Sequence, residues 1–310
     1  MLPPMTPDDP DGLIVLGATG RSGAALCQAL SAAGVRFAPV VRDAARWHAL
    51  GLHATPRVAD ITDAAALASA LAGAATIVST AHASWTPHLL AAAPADAGFV
   101  LMGSTRRFSR WRDAHGEGIR AGEAAFLASG RQGVMLHPTL IFGRAGQRAE
   151  TGDVQRLAAL LARLPVAPLP GGGRALIQPI HQSDVTRCLM AALQRPWPTP
   201  QALVIAGPTA LPYRDFLRAV AIAAGLRAPP VLPMPAAVLR ALAPLTALLP
   251  GLPRIGAEEI RRLVEDKAFD IAPMRALLGV APLSLTDGLA MTFPARAPAS
   301  PSRLTADAGT

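Results

Sequence analysis

The chain has 310 residues, 51% hydrophobic, 16% charged and 4% aromatic, which is too long and too apolar for a disordered segment or a disulfide-stapled miniprotein. Its formal charge of +8 rests on 29 basic residues, yet Lys267 is the only lysine and Tyr213 the only tyrosine. Ammonium and phenol groups are therefore almost absent from its chemistry, and scattered arginines without interleaved aromatics argue against a nucleic-acid surface.

The first residues, MLPPMTPDDPDG, place acids and prolines where a secretory signal needs a basic start and an apolar run. Cys27 and Cys188 fall in segments that read as helices, so buried thiols in a reducing compartment are expected, and with them a cytoplasmic location. The seven histidines form no close Cys/His set, and no metal site is expected.

In chain order, the apolar run 13–16 reads as a strand, followed at once by the loop Gly17-Ala18-Thr19-Gly20-Arg21-Ser22-Gly23 and a helix over 24–33 ending at Gly34. Here Gly17 permits a tight turn, Gly20 lets backbone N–H groups approach a pyrophosphate, and Gly23 allows close packing of helix on strand. The helix N-terminus faces the phosphate charge, with Thr19, Arg21 and Ser22 completing the loop. A second strand is read at 35–41, a short helix at 43–51, an approach to a third strand at 54–61 and another helix at 64–73. Further buried strands follow at 76–80 and 99–104, separated by an Ala-rich helix around 86–93. This alternation predicts an α/β fold, a Rossmann-type doubly wound parallel sheet covered on both faces.

The second strand ends in Arg42-Asp43. An acid there suits the ribose hydroxyls of NAD(H), whereas an arginine pairs with a 2′-phosphate, so Arg42 favours NADP(H) over NAD(H), with Arg21 as a helper. A one-residue shift would exchange Arg42 and Asp43. Asp60 and Ile61 are read as covering an adenine ring, with a helix cap at Asp60 or Thr62 as the structural rival. Thr80, Ala81 and His82, at the end of the fourth strand, are placed against the cofactor; for His82 an ordinary loop role stays open.

The order of these motifs, with FVLMGSTRRF at 99–108, VMLHPTLIFG at 134–143, LPGGGRALIQPIHQSDV at 169–185 and the segments at 202–220 and 266–293, resembles the extended or atypical short-chain dehydrogenase/reductases. The nearest branch is the NAD(P)-dependent epimerase/dehydratase-like one, which also contains the cofactor-binding subunit of complex I. The likeness spans 12–293. It implies that Pro138, Thr139 and Leu140 pass beside the nicotinamide, and that 12–204 is mainly the cofactor domain. Residues 205–293, with contributions from 144–183, would form a smaller substrate lobe, and 294–310 a flexible tail.

The same likeness implies a Ser or Thr followed by a Tyr and a Lys four residues apart, in which the ammonium lowers the phenol pKa. Ser104 and Thr105 fit the first role. Counting back from Glu123 puts Ile119 at the Lys position and His115 at the Tyr position, so His115 becomes the acid or base. Two functions remain open. One is an oxidoreductase or nucleotide-sugar epimerase-like enzyme acting at a carbonyl or alcohol carbon with Ser104 and His115; the other is a catalytically silent dinucleotide sensor or assembly subunit. The stretch 231–253 is interrupted by Arg240 and five prolines, so it reads as a lid, an apolar wall for a small-molecule substrate, or a peripheral membrane contact, and not as a transmembrane span. A monomer or homodimer is expected.

Overall fold

The computed structural model describes residues 12–143, 153–242 and 257–293. Six short strands, β1 (Leu13–Leu16), β2 (Ala38–Val41), β3 (Arg57–Val58), β4 (Thr76–Ser79), β5 (Gly98–Met102) and β6 (Gly133–Pro138), join the strand Pro200–Ile205 in one parallel sheet. The spatial order is Pro200–Ile205, β6, β5, β4, β1, β2, β3. The chain therefore reverses its direction of travel between β1 and β4, and the crevice outside their C-terminal ends is where such sheets bind ligands.

Alternate residues along each strand face opposite layers. Leu13 and Val15 of β1, with Val78 and Val134, pack beneath helices α1 (Arg21–Ala32) and α7 (Gln182–Leu193). Ile14 and Leu16, with Ile77 and Phe99, pack against α3 (Ala64–Leu71), α4 (Thr86–Ala92) and α5 (Ala114–Ala128). Strands buried on both faces must be apolar throughout, which is why they read as unbroken runs.

The elements depart from their sequence-based bounds for identifiable reasons. Helix α1 begins inside the glycine loop, with Gly20 as its N-cap, because the loop's last three residues are its first turn. The second strand starts at Ala38, since Gly34 adopts φ +69° and the Val35 N–H donates back to the Leu30 carbonyl, so the residues before Phe37 are spent leaving the helix. Asp43 starts α2 (Ala44–His48) by accepting from the N–H groups of Ala45 and Arg46. Asp63, and neither Asp60 nor Thr62, caps α3.

A separate lobe forms from α6 (Asp153–Leu161), α8 (Tyr213–Ala223), the parallel pair Ala167–Pro170 and Val231–Met234, α9 (Ala236–Leu242), α10 (Ala257–Arg262), α11 (Ala272–Leu278) and α12 (Leu285–Thr292), although α11 also packs on the sheet side. Its core gathers Phe142, Leu169, Ile177, Phe216, Val220 and Leu289. The expected tail at 294–310 and the 243–253 part of the apolar stretch lie outside the described residues. Among the described residues no helix is long and apolar enough to cross a membrane.

Helix α5 lies unusually close to the loop after β4. A Cβ on Gly122 would stand 1.9 Å from the Ala83 carbonyl oxygen. Gly122→Ala should therefore force the helix off its seat at a cost of about 1–3 kcal/mol, read as a lowered midpoint in urea or thermal unfolding.

Candidate functional site

The crevice at the switch point is a cleft of about 420 Å³. Its floor is the glycine turn, Leu16, Gly17, Thr19 and Gly20; one wall carries Arg42, Arg46, Asp60 and Ile61; the other carries Thr80, Ala81, His82 and Trp85. Gly17 adopts φ +80°, and a Cβ there would come within 2.7 Å of Thr80 Oγ1. Gly23 is tighter still: its Cβ would stand 2.1 Å from the Gly17 carbonyl oxygen. No side chain caps the N-terminus of α1 and no acid occupies its first turn, so its amide N–H groups are left for an anion.

These features suit a dinucleotide. The glycine cradle admits a pyrophosphate against the backbone, and His82, which lines the same cleft, has a buried Nε2 with no hydrogen-bond partner among the described residues. Asp60 accepts from the Thr62 N–H and hydroxyl, which hold its carboxyl below the usual range, so it meets the cleft as a carboxylate near the Arg42 charge.

Two loop residues point elsewhere. The Ser22 hydroxyl is buried and donates to Gln182 Oε1 on α7 at 3.1 Å, while Arg21 Nη2 donates to the Gly143 carbonyl at 2.8 Å. Both tie the loop to the rest of the molecule and neither lines the cleft. Pro138 ends β6 and accepts from the Thr105 hydroxyl; Thr139 is buried, its N–H donating to the Ile205 carbonyl; Leu140 is exposed. This segment stands beside the loop after β5.

That loop does not present Ser104 freely. Ser104 Oγ accepts from the Arg106 N–H, and the Ser104 N–H donates to His137 Nδ1 at 3.1 Å. The proton of neutral His137 is thereby assigned to Nε2, which lies 3.2 Å from Glu123 Oε2, and Glu123 pairs with Arg107. His137, Glu123 and Ile119 are all buried; Ile119, at the position counted as the Lys site, is core.

His115 stands at the start of α5 with its ring in edge contact with the His82 ring, the centroids 4.2 Å apart. Burial lowers the pKa of both histidines, and the positive charge of Arg106 lowers them further. Asp113, which caps α5, holds Arg106 through two hydrogen bonds and Arg262 at 3.4 Å. Lys267, far off in sequence, comes within the electrostatic reach of Arg106, Arg262 and Glu265, its pKa lowered chiefly by burial. The cluster of Arg106, Asp113, Arg262 and Lys267 escaped sequence reasoning because its members come from two separate parts of the chain. Tyr213 starts α8 against Phe216, and burial pushes its pKa up to about 12. Neither Tyr213 nor Lys267 lines the cleft. Among the described residues, no group of His, Cys, Asp or Glu is arranged to hold a metal ion.

Residues 17–107 match a family model described as NAD(P)H-binding. The chain has the Rossmann fold, and its N-terminal part is similar to that NAD(P)H-binding family. The match covers every residue lining the cleft except Leu16. No curated protein matches this chain in sequence. Among solved structures, MoeE5 in complex with UDP-glucose and NAD is 20% identical with a TM-score of 0.67, over 91% of this chain and 97% of that one. UDP-glucuronic acid 4-epimerase from Bacillus cereus, in complex with UDP-glucuronic acid and NAD, is 17% identical with a TM-score of 0.67 over 91% and 97%. The NADPH-dependent quinone oxidoreductase QOR2 of Escherichia coli, complexed with NADPH, is 16% identical with a TM-score of 0.70 over 90% and 98%. At these identities the likeness is one of fold.

The preference for NADP(H) read from Arg42 is corrected. Both MoeE5 and the Bacillus cereus epimerase, two proteins of the same fold, hold NAD. Arg42 does line the cleft, but the Asp60 carboxylate lines it too, so a 2′-phosphate there would meet an anion as well as a guanidinium.

The histidines also set a pH dependence. His82, His115 and His181 have folded pKa values below the ordinary 6.5, so the folded state favours their neutral forms. Their stabilising contribution is fully present above 6.5 and is lost as the pH falls from there toward the lowered values. The urea midpoint should drop between about pH 7.5 and about pH 5.5, and His181→Asn, which keeps a capping side chain for α7, should shrink that drop.

Proposed function

We propose that the protein is an NAD(H)-dependent oxidoreductase or epimerase-like enzyme that transfers hydride at a carbonyl or alcohol carbon of a small-molecule substrate. The single observation that supports this reading is the His82–His115 ring contact, which joins His82 in the lining of the cleft to a histidine on the helix where a tyrosine is missing. Bound nicotinamide supplies the hydride acceptor or donor. The chain supplies the geometry and the proton.

In the oxidation direction, His115 accepts the alcohol proton. A base must be neutral at the working pH, and burial together with the His82, Arg106 and Arg262 neighbours keeps His115 so. This replaces the logic of a lysine that holds a tyrosine ionised: here fixed cations hold a histidine unprotonated. Ser104 and Thr105 position the substrate oxygen, the Ser104 backbone being fixed by the His137–Glu123–Arg107 chain. Gly17, Gly20 and the α1 N-terminus hold the pyrophosphate, Asp60 and Ile61 the adenosine end, and Thr139 with His82 the nicotinamide end.

A second reading, a silent dinucleotide sensor or assembly subunit, is favoured by the engagement of Ser104 Oγ with the Arg106 N–H and by the removal of Tyr213 from the cleft. A cytoplasmic location accords with the two buried free cysteines, and a monomer or homodimer that binds no nucleic acid remains our reading.

The deciding experiment is titration with NADH and NADPH, followed by turnover assays with UDP-glucose, UDP-glucuronic acid and a benzoquinone. NADH should bind at least as tightly as NADPH. His115→Phe should lower turnover by about 10²–10⁴-fold with little change in NADH affinity, and the wild-type oxidation rate should fall on the acid side as His115 protonates below its ordinary value. Tight NADH binding with no turnover of any of these compounds would support the sensor instead.

A further inference from the structure

A second concavity, of about 710 Å³, lies on the outer lobe and shares no residue with the dinucleotide cleft. It falls within the range of roughly 300–1,000 Å³ typical of small-molecule sites. Its walls come from α6, α8, the loop after α8 and the strand pair Ala167–Pro170 and Val231–Met234.

The chemistry of the walls is specific. The apolar side chains are all aliphatic: Leu161, Leu217, Ile222, Leu226 and Val231. No aromatic ring offers a stacking face, which selects against a nucleobase or a flat ring and for a flexible hydrocarbon chain. Ile222 is 62% exposed, a large apolar surface left in water on a helix whose other face buries Phe216 and Val220.

The polar lining is nearly all cationic. Arg214, Arg218 and Arg227 stand on the groove against a single carboxylate, Asp215. Arg214 meets Asp215 only at 3.8 Å, and Arg218 and Arg227 have no ion-pair or hydrogen-bond partner among the described residues. Guanidinium groups left unpaired beside an aliphatic trough complement a carboxylate or phosphate carried on a hydrocarbon chain.

We propose that this groove binds a single-chain amphiphile with an anionic head, of the fatty-carboxylate type, with the chain along Leu217, Ile222 and Leu226 and the head against Arg218 and Arg227. The binding is independent of the dinucleotide, because the two sites have no lining residue in common. Its concave shape favours one chain over a flat membrane surface.

Calorimetric titration with sodium decanoate, kept below its micelle concentration, should show saturable one-to-one binding. Decanoate should bind about tenfold more tightly than octanoate, as two additional buried CH₂ groups require, and decanol should bind far more weakly. The double variant Arg218→Glu with Arg227→Glu should weaken decanoate by at least about tenfold while NADH affinity stays unchanged, which also reports that the variant is folded. Equal binding of decanol, no dependence on chain length, an unaffected double variant, displacement of NADH by decanoate, or retention only on phosphatidylglycerol vesicles would each overturn the proposal. The chain-length and decanol comparisons use the unaltered protein and decide the matter even if the variant does not fold.

Discussion

The contact on which the rest of the molecule depends is the one between the Thr80 hydroxyl and the glycine turn. Thr80 Oγ1 lies within hydrogen-bonding distance of the Leu16 and Gly17 carbonyls, at 3.3 and 3.2 Å, and a Cβ on either Gly17 or Gly23 would come within 2.7 Å of it. The end of β4, the turn after β1 and the first turn of α1 thus meet with no room for a side chain on the turn. That closeness is what opens the α1 N-terminus onto the crevice, and the strand order makes β1 and β4 the pair between which the crevice lies. Everything that could hold a dinucleotide is referred to this point.

A second close approach builds the chemical side. Gly118 and Gly122 let α5 settle on the loop of His82, Ala83 and Ser84; a Cβ on Gly118 would stand 3.1 Å from the His82 ring. His115 then reaches His82. The tautomer of His82 is fixed in the same place, because its Nδ1 accepts from the Ser84 N–H and neutral imidazole must carry its proton on the buried Nε2.

The lobes are joined by charges as much as by apolar contact. Glu265 accepts from the Ser109 hydroxyl and the Arg110 N–H, Arg262 reaches Asp113, and Phe269 packs on Phe108. Asp184, wholly buried, accepts from the Leu283 N–H and pairs with Arg187, holding the last helix pair to α7. Buried carboxylates of this kind are costly unless fully partnered, and each here has a cation or a backbone N–H. The same clasp draws Lys267 toward the loop that carries Ser104.

The sequence alone determined the parallel sheet, because strands covered on both faces must be apolar at every position and the turns between them need glycine. It also named residues that meet at one crevice, Gly17, Thr19, Gly20, Arg42, Asp60, Ile61, Thr80, Ala81 and His82, since each lies just past the end of a strand. What it could not decide was direction. Ser22 and Arg21 sit in the loop but turn to Gln182 and Gly143, partners more than a hundred residues away that no local pattern announces. The charge at Arg42 was legible, but the nearness of the Asp60 carboxylate to it across the cleft wall was not. Only the tertiary structure brought His115 to His82, buried Ile119, and set Arg262 and Lys267 beside Arg106, because side-chain electrostatics acts across space and the chain order carries no record of those distances.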